Sequence, residues 1–94
     1  MKIKKIEIDE KLSNYIECLD FDLKSRRHII ALMISQNYDV NTDAFKVYQK
    51  EATDATVMFD TAKRELGEML EKKLGKLKNW RLDYATRTVY YETL

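Results

Sequence analysis

The chain of 94 residues has no proline, two glycines, one cysteine and one histidine, and each scarcity removes a class of answer. With so few breakers, little interrupts regular backbone, and long helices are the economical arrangement. The single Cys18 rules out an intramolecular disulfide and fits a reducing compartment. Two isolated glycines cannot build a phosphate-cradling loop. No apolar run approaches the roughly 18 residues of a membrane span. The opening MKIKKIEIDE carries no apolar core of a secretion signal. A cytoplasmic location without membrane association is therefore expected. No charge sign dominates either: 17 basic against 16 acidic residues leave a net charge of +1, too little for generic attraction to nucleic acid or anionic lipid.

Catalytic and metal chemistry find few candidates. On one helix, Cys18 and His28 would lie almost three turns apart, about 15 Å, so they form no nucleophile–base pair. His28 with Asp22 or Glu17 falls short of a convergent ligand set. The acids are scattered among bases, with no sign of a cleft that would shift one carboxyl. We expect no catalytic residues, no metal and no cofactor. His28 reads as a solvated or rim position, and Cys18 as a small apolar residue beside a core stripe.

What is present is periodicity. Residues 2–8 alternate with β-branched character and suggest a short strand. Asp9 offers a helix N-cap, and Leu12, Tyr15, Ile16 and Leu19 follow on one helical face. Asp20 to Ser25 admits a break, with Asp22 or Ser25 as a new cap. Continuity is favoured because Asp20–Lys24 and Asp22–Arg26 then pair at i, i+4, and a break would crowd cations at a helix N-terminus. The expectation is one helix over 9–36, kinked at most near 20–25. The unbroken apolar run Ile29–Ile34 marks the expected centre of the core. Gln36–Asn41 reads as a turn.

A long helix is expected over 42–74, capped by Asn41 or Thr42 and closed by Gly75, with Lys72 and Lys73 suiting the dipole of its last turn. Its stripe, Phe45, Tyr48, Ala52, Ala55, Phe59, Ala62, Leu66 and Met69, alternates spacings of three and four, a coiled-coil a/d pattern. The line would next reach Lys73 and Lys76, so hydrophobicity passes to Leu70, Leu74 and Leu77. Gly67, inside the helix, offers room for close approach. From Trp80 the period changes to two, which predicts a β-hairpin over 80–92 around Ala85–Arg87, one that the N-terminal strand can join. The fold class is mainly α: a single domain, an antiparallel long-helix hairpin with a small C-terminal β-hairpin.

Three features carry binding expectations. The heptad stripe is either internal core or a seam shared with another subunit, and its alanines permit close helix approach. Trp80, Tyr84, Tyr90 and Tyr91 form a candidate partner surface or a lid over the helices, since aromatics with polar ends favour interfaces. Lys72, Lys73, Lys76, Lys78 and Arg81 form a candidate basic patch around Trp80, able in principle to grip phosphate and stack a base. Lysine near a helix C-terminus also has a purely structural reason. Lys24 to His28 is a second basic run, read first as a solvated face.

Taken in order, the Lys/Ile-rich start, Ser25-Arg26-Arg27-x-x-Ile30, Asn41-Thr42-Asp43-Ala44-Phe45-x-x-Tyr48-x-x-Glu51 and Trp80-x-Leu82-Asp83-Tyr84-x-Thr86 resemble small bacteriophage and mobile-element proteins of Gram-positive bacteria. The resemblance covers most of the chain and rests on caps and core positions. It transfers no catalytic residue and no activity. It implies a phage setting, in the host cytoplasm or the virion, with virion-assembly accessory work or inhibition of host machinery as the usual tasks. The sequence thus points to a non-enzymatic interaction protein that self-associates as a homodimer or larger. The alternative is a nucleic-acid-associated or host-defence-inhibiting protein that uses the basic patch or an anion site between subunits.

Overall fold

A computed structural model describes residues 2–94. In chain order its elements are β1 (Lys4–Glu7), α1 (Glu10–Ser35), α2 (Asp43–Leu74), β2 (Leu77–Asp83) and β3 (Thr88–Thr93). The fold is mainly α, a helical hairpin with a small antiparallel sheet. Two compact units divide the chain: Cys18–Thr61, and the first 17 residues together with Ala62–Leu94.

Side chains and backbone geometry set the helix ends. Asp9 Oδ2 accepts the Leu12 N–H at 3.3 Å, the N-cap of α1. At the other end Asn37 turns left-handed at φ 57°. Its N–H reaches the Ile34 carbonyl at 3.0 Å and the Tyr38 N–H reaches Met33 at 2.9 Å, the paired bonds of a Schellman closure. Asp39 holds the connecting turn by accepting the Asn41 N–H at 2.9 Å. Thr42 Oγ1 then caps α2 by accepting from Phe45 N at 3.3 Å. Gly75, at φ 87°, ends α2 with its N–H on Glu71 at 2.9 Å. Residues 20–25 continue α1, and both expected ion pairs form there: Lys24–Asp20 at 3.3 Å and Arg26–Asp22 at 3.1 Å.

Within Cys18–Thr61 the two helices run antiparallel from the turn. Leu23 from α1 and Phe45, Ala52 and Ala55 from α2 are its buried apolar residues. Two contacts mark opposite rims of the helix pair. Arg26 reaches Glu51 at 2.7 Å on one rim, and Arg27 donates to Thr56 Oγ1 at 3.4 Å on the other. The run Ile29–Ile34 is not the core centre that the sequence led us to expect. Ile29, Leu32 and Ile34 are 43%, 45% and 55% exposed, and only Ile30 and Met33 are half-buried. A helix with one neighbour hides one stripe, so a segment apolar on every side must show the rest.

The other unit has its own core: Ile16 on α1; Ala62, Leu66 and Leu70 on α2; and Val89 and Tyr91 on β3. Its sheet has the order β1-β3-β2, antiparallel throughout, so the N-terminal strand does join the hairpin. The register aligns Ile6, Val89 and Leu82 in one row and Lys5, Tyr90 and Arg81 in the next. Because strand side chains alternate, these rows occupy opposite faces. The turn between β2 and β3 lacks Asn-Gly. Asp83 Oδ1 instead accepts the Ala85 N–H at 3.1 Å, and Arg87 takes the left-handed conformation at φ 54°. β1 is short and lysine-bearing and β2 is irregular between Leu77 and Asn79, features that discourage edge-to-edge pairing.

Candidate interaction surfaces

The heptad stripe separates into buried and exposed members. In Cys18–Thr61, Phe45, Ala52 and Ala55 are buried and Phe59 half-buried, while Tyr48 is 44% exposed. In the other unit Ala62 and Leu66 are buried, but Met69 is 45% exposed and Leu70, at 2%, takes over as the core position. A strict heptad drifts about 20° per repeat from a straight helix, so after several repeats the next residue along faces inward. On α1 the same selection buries Ile16 and Leu23 and leaves Tyr15 exposed. Cys18 is also exposed, contrary to its expected place beside the core, because it lies well around the helix from Ile16 and Leu23. His28 is exposed.

Of the four C-terminal aromatics, Trp80, Tyr90 and Tyr91 line one open hollow, and Tyr84 is not among its lining residues. Trp80 and Tyr91 are register partners on the inner face. Tyr91 is buried, and the indole lies against Gly67, where an added Cβ would stand 3.4 Å from Nε1. The close approach that Gly67 permits is thus used by the chain itself. Lys63 Nζ sits 5.7 Å from the Trp80 ring centre. Tyr90 points to the outer face, with the Arg81 guanidinium 4.7 Å above its ring. Tyr84 is half-buried in the turn. The hollow that Trp80, Tyr90 and Tyr91 line has a volume of about 570 Å³ and is completed by Ile3, Asn79, Arg81 and Glu92. Its one cation and one carboxylate balance, which gives an anion no net attraction.

The basic residues are dispersed. Lys72, Lys73, Lys76, Lys78 and Arg81 are all exposed, but Lys72 and Lys76 share their hollow with Glu68 and Glu71. Arg81 is engaged by Tyr90. In the hairpin unit the basic run is tied into pairs: Lys24 on Asp20, and Arg26 between Asp22 and Glu51. The hydrogen bond and charge of Asp22, then Glu51, hold the Arg26 guanidinium above its ordinary pKa. Among the described residues no group of three or more histidine, cysteine or acidic side chains is placed to hold a metal ion. No helix there is long and apolar enough to cross a membrane.

No family model, curated protein or solved structure matches this chain. Its surfaces therefore carry the functional argument alone. The feature that stands out belongs to the hairpin unit. Phe21, Ile29, Leu32, Ile34, Tyr38, Val40, Val47, Tyr48, Val57 and Met58 are each between 42% and 72% exposed, against four buried apolar residues. Ten large apolar side chains left this far outside exceed what a single helix-to-helix contact hides. They lie around both helices and the connecting turn. Sequence reasoning missed this surface by assigning Ile29–Ile34 to the core. The signal was a two-helix unit with more apolar residues than one helix contact can hide.

Proposed function

We propose that the protein is a non-enzymatic, self-associating interaction protein, with accessory work in phage structure or assembly as its most concrete form. The observation that supports this most is the apolar surface left outside by the hairpin unit. Covering it would stabilise an assembly by about 25 cal/mol for each Å² removed from water, before the costs of association. The phage setting rests on the sequence resemblance alone, and a cytoplasmic or virion location goes with it. The dispersed and acid-paired basic residues favour this reading over nucleic-acid binding.

Sedimentation velocity on the purified protein, from low micromolar to several hundred micromolar, tests the proposal. A sedimentation coefficient that rises with concentration supports it. A monomer throughout the range contradicts it. The nucleic-acid alternative makes a separate demand: binding to a random duplex or single strand that weakens steeply as salt rises. We expect none above background at physiological salt.

A further inference from the structure

The register of the sheet fixes which side chains meet on its outer face. Asn79 pairs with Glu92 and Arg81 with Tyr90. Strand positions two apart share a face, so these four stand together, and with Ile3 they line the hollow of about 570 Å³. Asn79 and Arg81 are exposed, and Tyr90 and Glu92 are half-buried. Arg81 and Glu92 are diagonal neighbours of opposite charge, yet the guanidinium lies over the Tyr90 ring at 4.7 Å. Neither has an ion-pair partner among the described residues. Stacking holds the plane of a guanidinium and leaves its in-plane N–H fork free for a carboxylate. The hollow thus combines an aromatic ring, an aliphatic side chain, an amide and one charge of each sign.

We propose that this hollow binds a small zwitterion, of which an apolar α-amino acid is the simplest. Its carboxylate meets Arg81, its ammonium meets Glu92, and its side chain lies against Ile3 and Tyr90. Charge and spacing carry the choice. A lone anion is attracted by Arg81 and repelled by Glu92, and a lone cation the reverse, whereas a molecule with both charges gains at each. Diagonal positions across a strand pair lie about 7–8 Å apart, and a charge-assisted hydrogen bond takes up about 2.8 Å at each end. A molecule that bonds both groups therefore carries its two charges close together, as an α-amino acid does. The Asn79 amide can donate to the carboxylate or accept from the ammonium. Concave surface with aromatic and aliphatic lining and a few convergent polar groups is the ordinary form of a small-molecule site. The hollow belongs to the sheet unit, so the inference stands or falls apart from self-association.

The test is a titration of the purified protein with L-leucine at fixed ionic strength, followed by backbone amide NMR shifts. The proposal expects saturable shifts centred on the hollow, at residues 79–81 and 90–92, with a midpoint of about 1 mM or tighter. N-acetyl-leucine, which lacks the ammonium, and leucinamide, which lacks the carboxylate, should each bind at least tenfold more weakly. So should L-leucine to Arg81→Gln and to Glu92→Gln. No saturable shift up to about 20 mM overturns the proposal, as do shifts centred elsewhere in the chain. Equal binding of the three probes also overturns it, because that marks apolar contact without recognition of charge. The comparison of probes uses the unmodified protein, so it decides even where a variant loses its fold.

Discussion

Gly67 and Trp80 are matched. The indole occupies the space that a side chain at 67 would take, and the chain has no other tryptophan to obscure its emission. Alanine at 67 gains helix propensity worth up to about 1 kcal/mol and places its Cβ at the edge of ordinary contact, so Gly67→Ala should keep or slightly raise the melting temperature. Gly67→Leu should push the indole out, shift its fluorescence to the red and lower the melting temperature. Ser13 is the opposite case: fully buried, with a hydroxyl that finds no partner among the described residues. Because an unmet buried polar group costs about 1–3 kcal/mol, Ser13→Ala should stabilise, by about 1 kcal/mol in thermal or denaturant unfolding. The sequence showed that Gly67 admits a close neighbour but not which one, since the return of β2 onto α2 leaves no periodic trace. Arg26 offers no pH test near neutrality. A raised arginine value keeps its stabilisation fully present below the ordinary arginine range and loses it only as pH climbs through the raised one.

At the scale of elements, local chemistry was the most legible. Asp9, Thr42 and Gly75 act at the ends where their side chains or backbone freedom suit them, and the ion pairs that keep α1 continuous follow from i, i+4 spacing. Less legible was the exact inward line of α2, because a heptad count ignores helix drift. Leu70 and Met69 give this a sharp test. Leu70→Ala should cost about 2–5 kcal/mol as a core truncation, and Met69→Ala less than about 1 kcal/mol, measured by urea unfolding. Equal costs would mean that the stripe does not hand over where described. Asn37, left-handed without being glycine, should accept glycine at no loss, whereas Asn37→Val should cost about 1–2 kcal/mol. The turn from β2 to β3 was hidden because its signal lies in Asp83 and Arg87 rather than in a two-residue motif.

For the whole molecule, composition and period gave the fold class, while the surface had to be seen. Periodicity reports how many faces of a helix are apolar, not how many neighbours the chain provides to cover them. Ile29–Ile34 shows the gap: its pattern demands burial on several sides, and within its own unit α1 has a single companion. Trp80, Tyr90 and Tyr91 show it again, because adjacency in a strand places side chains on opposite faces. The central claim is that a second copy supplies the missing cover. Its most direct measurement is the mass of the purified protein in solution by sedimentation equilibrium across a hundredfold concentration range. The account predicts a rise from the 11.2 kDa of one chain toward twice that value. A mass fixed at one chain throughout would contradict it.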